Sequence, residues 1–150
     1  MSRITIVEVG PRDGLQNEKV SLDIETRLEF AERLAEAGLR KIELGAFVSP
    51  EWVPQMAGSP ELMKRALELK ASGRSPLKDV ELSALVPNPR GMSDALEAGV
   101  KTVAIFGSAS ESFAKKNINC TIDESFVRFE KVMEMAREHN VRVRGYLSMC

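Results

Sequence analysis

The sequence predicts an α/β protein in which five strands alternate with four helices, β-α-β-α-β-α-β-α-β. Three observations carry this reading. Short runs of β-branched and apolar residues, such as Ile4-Thr5-Ile6-Val7 and Val80 to Val86, have the length and composition of buried strands. Between them, apolar residues recur every three or four positions, and glycines stand where such helices end. Dense polar stretches follow the strands, as expected where a sheet presents chemistry at its carboxyl ends. Strict alternation of this kind implies parallel strands joined by right-handed crossovers. Two architectures satisfy it: an open doubly wound sheet and a (β/α) barrel.

The opening strand, Ile4 to Val9, breaks at Gly10-Pro11 into a loop carrying Arg12, Asp13, Gln16, Asn17, Glu18 and Lys19. Gly-Pro and Asp-Gly are turn dipeptides, so these residues read equally as a solvated turn or as one wall of a site. Ser21 to Ala37 reads as the first helix, with Ile24, Leu28, Ala31, Leu34 and Ala35 on its apolar face and Gly38 as its cap. The second strand, Arg40 to Phe47, contains Glu43. Strands of parallel sheets are normally apolar on both faces, so a carboxylate here needs a cationic partner, and Arg12 is the available one.

The loop from Val48 to Ser59 holds Trp52, the only tryptophan, as a lid or, more commonly for such residues, a packing anchor. Ser59-Pro60 reads as a cap followed by a first-turn proline, opening a helix that buries Leu62, Met63, Ala66 and Leu67. Strand three is Val80 to Val86, followed by a short helix from Met92 to Ala98, and strand four is Thr102 to Phe106. A second polar loop, Gly107 to Cys120, precedes a helix whose start is marked by the capping-box spacing of Thr121 and Glu124. That helix is expected to bury Phe126, Phe129, Met133 and Ala136. His139, the only histidine, sits at its C-terminal end, where the helix dipole favours a surface imidazole. Strand five is Val141 to Leu147.

Composition narrows the class. At 150 residues, 43% hydrophobic and 29% charged, the chain can bury a core and is not disordered. A net charge of −1 gives no reason to expect nucleic acid, and no apolar run reaches the ~20 residues of a membrane span. The N-terminus runs directly into a strand without a targeting pattern, so a cytoplasmic location is expected. Cys120 and Cys150 are too few and too far apart for a metal cluster. The loop after strand one lacks the G-x-G-x-x-G spacing, which argues against nucleotide binding.

Specific strings then decide between the architectures. VEVGPRDGLQNEK, FVSPEWVPQMAG, ALVPNPRG, LEAGVKTVAIF, SASESFAKKNINCTIDESF and VRGYLS together resemble, in order, the hydroxymethylglutaryl-CoA lyase family of the DRE-TIM metallolyase superfamily. The resemblance covers essentially the whole chain. It implies the N-terminal part of a TIM (β/α)8 barrel over residues 1–150. It also implies carbon–carbon cleavage of 3-hydroxy-3-methylglutaryl-CoA to acetyl-CoA and acetoacetate, as in leucine catabolism and ketone-body formation. The implied cofactor is a divalent cation, Mg2+ or Mn2+, and the implied partners are an acyl-CoA substrate and, in the full-length form, a second subunit.

By the same resemblance Asp13 is a metal ligand, Arg12 is the catalytic arginine and also contacts the substrate, and Glu43, close to Arg12, is a second catalytic residue. Gln16, Lys19, Ser49 and Asn117 fall on segments that line the substrate or acyl-CoA site. Ala46 stands where many relatives have a serine. The family's H-x-H ligands, its asparagine ligand and its catalytic cysteine are expected beyond residue 150, and neither His139 nor Cys150 replaces them. One aspartate cannot hold magnesium firmly. The 150 residues alone are therefore expected to be inactive and to associate through open sheet edges. A Claisen-type condensing enzyme or an aldolase of the superfamily is one alternative, and a non-catalytic, self-associating half-barrel module is another.

Overall fold

The computed structural model describes residues 4–150. Four parallel strands form one sheet: β1 (Lys41–Ala46), β2 (Glu81–Leu85), β3 (Thr102–Ser108) and β4 (Arg142–Ser148), in the order β1-β2-β3-β4. A doubly wound sheet reverses its strand order at a switch point. Here each strand is added beside its predecessor, the progression of a barrel. Right-handed crossovers then put every connecting helix on one face.

Those helices are α1 (Ile24–Glu36), α2 (Ser59–Ala71), α3 (Pro89–Glu97), α4 (Glu111–Ile118) and α5 (Ile122–Glu138). The core lies between helices and sheet, where Leu28, Ala31, Leu62, Met63, Met92 and Val132 pack against Ile42, Leu82, Ala84 and Val103. Asp23 caps α1 by accepting from the Thr26 amide at 2.8 Å, Asn88 caps α3 through the Gly91 amide, and Thr121 and Glu124 form the expected capping box on α5.

Several expectations are corrected. The opening strand is reduced to one parallel bridge, Glu8 beside Ile42, with Ile4 90% and Ile6 65% exposed. The parallel register explains this. It puts residues 6 and 4 level with residues 40 and 38, before β1 begins, so their side chains have no strand to pack against. The second polar loop contains a helix, α4, capped by Ser110. Ser59 does not cap α2. Gly58, at φ 74°, takes that position, and the Ser59 hydroxyl instead donates to the Met56 carbonyl. Phe126 is 59% exposed whereas Phe129 and Ala136 are buried, so the apolar stripe of α5 is narrower than its sequence suggests. Trp52, 70% exposed, is not a packing anchor.

The first turn of α3 approaches the end of β1 so closely that a Cβ on Gly91 would lie 2.5 Å from the Phe47 carbonyl oxygen. Backbone cannot yield as a flexible side chain can. Gly91→Ala is expected to cost roughly 1–3 kcal/mol, read as a lower urea midpoint with an unchanged slope.

Candidate active site

Chain direction puts the loops after the strands on one rim of the sheet, and the first of them is shaped by hydrogen bonds. Gly10–Gly14 forms a π-type turn closed by the Leu15 amide donating to the Gly10 carbonyl, and the amides of Arg12 and Asp13 both donate to the Val9 carbonyl, at 3.0 and 2.7 Å. Pro11 is buried, and the Glu8 carboxylate accepts from the Gly10 amide at 2.6 Å. Such π-type turns recur at functional sites. The turn and site readings of this loop are therefore compatible: the turn aims Arg12 across the sheet.

Glu43 is fully buried. A bulge beside it, where Glu43 faces Ser83 but Gly45 faces Ala84, leaves Leu44 as the extra residue. Glu43 Oε1 accepts from Arg12 Nε at 2.6 Å, and Oε2 accepts from the Tyr146 hydroxyl at 2.7 Å. Arg144 Nη1 donates to the Tyr146 oxygen at 3.2 Å. Arg12 Nη1 also donates to Asp13 Oδ1 at 2.6 Å. Each carboxylate oxygen of Glu43 thus has a donor, one of them cationic, which is the condition for keeping a buried charge. The Arg12 side chain is 11% exposed and that of Asp13 is 56% exposed. The network therefore runs from the sheet interior to solvent and ends at a carboxylate.

Burial holds the Tyr146 phenol above its ordinary value, and the neighbouring Glu43 charge adds to the effect while Arg144 opposes it. Tyr146 is the only tyrosine, so its ionisation can be followed by absorbance near 295 nm. The midpoint is expected above ~10 and should fall in Glu43→Gln. The stabilisation linked to this group is complete below pH ~10 and is lost as pH rises through the folded-state value.

A second feature lies along the same rim. A cleft of about 460 Å³ is lined by Ser49 and Trp52 from the loop after β1, Asn88 from the loop after β2, Lys116 and Asn117 from α4, and Arg128 from α5. Asn117 Nδ2 donates to the Phe113 carbonyl at 3.0 Å, and Ser49 is exposed. The structure thus gathers Arg12, Asp13 and Glu43 into one cluster and Ser49 and Asn117 into another. Gln16, half-buried, and Lys19, exposed, line neither the cleft nor the Glu43 network. A hydrogen bond from Gln55 Nε2 to the Glu18 carbonyl, 3.0 Å, joins the loop after β1 to the first loop.

Tyr146 and Arg144 are the residues that sequence reasoning missed. Their signal is the alternation in Val141-Arg142-Val143-Arg144-Gly145-Tyr146. Val143 packs against the core, so Arg144 and Tyr146 face the other way, towards Glu43.

Among the described residues, no three histidine, cysteine, aspartate or glutamate side chains come together as a metal-binding group. Asp13 offers one carboxylate with an oxygen already engaged by Arg12. These residues alone do not fit a complete divalent-cation site. His139 follows α5 at the surface, away from the rim.

Comparison with known proteins places the chain in a family. The HMGL-like family profile matches residues 3–149. The 3-hydroxy-3-isohexenylglutaryl-CoA/hydroxy-methylglutaryl-CoA lyase of Pseudomonas aeruginosa is 50% identical over 146 residues, covering 97% of this chain and 46% of that protein. The cytoplasmic 3-hydroxy-3-methylglutaryl-CoA lyase of Rattus norvegicus is 50% identical over 145 residues, covering 97% and 40%. The crystal structure of hydroxymethylglutaryl-CoA lyase from Pseudomonas aeruginosa superimposes with a TM-score of 0.84 at 50% identity, covering 97% of this chain and 46% of that one. The chain spans less than half the length of each of these relatives.

Proposed function

Because the chain belongs to the HMGL-like family, we propose that it supplies the first half of a (β/α)8 barrel lyase that cleaves 3-hydroxy-3-methylglutaryl-CoA to acetyl-CoA and acetoacetate. The observation that carries this reading is the placement of Arg12: anchored by a buried carboxylate, yet adjacent to the exposed Asp13. Cleaving a carbon–carbon bond beside a tertiary alcohol leaves negative charge on a thioester enolate. A guanidinium fixed in advance stabilises that charge without reorganising. Glu43 sets its direction, and Tyr146 holds the second oxygen of Glu43.

Asp13 is proposed to give one oxygen to a magnesium or manganese ion, hard cations that suit carboxylate ligands. The remaining ligands are proposed to come from outside these 150 residues. Such an ion, held by Asp13 together with those ligands, would supply polarisation of the substrate's oxygens. Gln16, Lys19, Ser49 and Asn117 are proposed to contact the substrate and its CoA portion. The 460 Å³ cleft supports this for Ser49 and Asn117, with Lys116 and Arg128 as further cations on its wall. The complete enzyme is proposed to be a cytoplasmic homodimer. Among the described residues, no helix is long and apolar enough to cross a membrane.

The test is a hybrid barrel in which these 150 residues are joined to the C-terminal part of the Pseudomonas aeruginosa relative. With added Mg2+ or Mn2+ it is expected to release acetoacetate from 3-hydroxy-3-methylglutaryl-CoA, and the 150 residues alone are expected to release none. Condensation of an acyl-CoA with a 2-oxo acid, without cleavage, would assign the chain to the superfamily's synthases instead.

A further inference from the structure

Among the described residues Arg27 is the largest fully buried side chain, 1% exposed, and no carboxylate of theirs lies within 4 Å of it. It projects from α1 towards the start of α2. There Nη1 donates to the Ala57 carbonyl at 3.0 Å, Nη2 stands 3.5 Å from Ser59 Oγ and 3.9 Å from Met56 Sδ, and Nε has no partner. Burying a guanidinium without a counter-ion is costly, and the N-terminal end of α2 adds a positive dipole rather than relief. Burial accordingly lowers its tendency to hold the proton. A methionine or leucine would fill the same volume without that cost, so packing alone does not account for an arginine here.

The guanidinium's contacts show what it accomplishes. The loop Val48 to Gly58 crosses the rim and carries Ser49, Trp52 and Gln55, and its last residues are the ones Arg27 touches. Gly45 leaves room for this: a Cβ there would stand 2.7 Å from Ser59 Oγ and 3.4 Å from Arg27 Nη2. Ser59 Oγ in turn accepts from the Ala46 amide at 3.2 Å, locking the end of the loop to the end of β1. From that anchored end, Gln55 reaches the first loop at Glu18.

We propose that Arg27 is a positioning residue: its buried guanidinium clasps the Ala57 carbonyl and so fixes the rim loop that carries Ser49 and Trp52. The role is independent of the acyl-CoA reading, because every contact is within the chain and the test uses no substrate.

Trp52 is the only tryptophan and Glu51 beside it is exposed, so the loop has its own fluorophore and its own glutamyl-endopeptidase site. Arg27→Met keeps the length of the side chain and removes its donors. It is expected to lower Trp52 fluorescence anisotropy and to speed cleavage after Glu51 by about tenfold, the weight of one charge-assisted hydrogen bond. The far-UV circular dichroism and the cleavage rates at other glutamates should stay unchanged. Arg27→Lys, which retains one donor for Ala57, should restore most of the native anisotropy and cleavage rate. A native cleavage rate in Arg27→Met would overturn the proposal. So would unfolding of the whole chain in Arg27→Met, or an Arg27→Lys loop as loose as that of Arg27→Met.

Discussion

Replacing Arg12 by glutamine in the hybrid barrel is expected to lower kcat by about 10²–10³-fold, the effect of removing one pre-placed donor to a developing oxyanion. KM should change far less, because the charge that Arg12 meets exists only as the carbon–carbon bond breaks. Arg12→Lys should recover only part of the loss. A lysine brings the charge but cannot span both Glu43 Oε1 and Asp13 Oδ1, which Arg12 reaches with two different nitrogens at 2.6 Å each. Steady-state acetoacetate release gives both constants. An equal rise in KM at unchanged kcat would make Arg12 a binding residue only.

The second large effect concerns stability. Glu43→Ala removes the buried partner of the Arg12 guanidinium, leaving it only the half-exposed Asp13, and it strips the acceptor from the Tyr146 hydroxyl. Removing one partner of a buried ion pair costs about 3–5 kcal/mol. Domains of this kind are stable by only about 5–15 kcal/mol. Urea unfolding should therefore show Glu43→Ala near the edge of folding. Glu43→Gln keeps the shape and can still accept from Tyr146, and should cost less, roughly 1–3 kcal/mol.

Much of this was legible in the sequence because the relevant signals are local. The helix periodicities, the Thr121–Glu124 capping box and the conflict of a carboxylate in a buried strand are all read within a few residues, and the Arg12–Glu43 pair follows from that conflict. What escaped depends on neighbours that the sequence does not display. Ile4 and Ile6 have the composition of a strand, but only the register against β1 shows that they run past its beginning. Phe126 has the right spacing for the core, yet it is 59% exposed on α5, the helix that packs against the edge strand β4 and its neighbour β3.

Residues 110–119 looked like a polar loop because α4 is short and buries little beyond Ala114. Tyr146 was hidden for a different reason. Its partner Glu43 lies 103 positions away, and pairing across the barrel interior leaves no mark on local pattern except the alternation of β4. Arg27 reads as an ordinary charged helix residue, since nothing in its surroundings along the chain indicates that α2 closes over it.

The claim on which the rest depends is that Glu43 holds Arg12 in place at the rim. A double-mutant cycle on the unfolding of the hybrid barrel tests it directly, using Arg12→Met, Glu43→Gln and the pair. Two groups joined by a 2.6 Å hydrogen bond with one of them fully buried should couple strongly. The expected coupling is about 1.5–3 kcal/mol, the range for close, partly desolvated charge pairs and contacting residues. The double variant would then be little less stable than the worse of the two single ones. Additive losses, with coupling within about 0.5 kcal/mol of zero, would mean that Arg12 and Glu43 act separately, contradicting the account of the site.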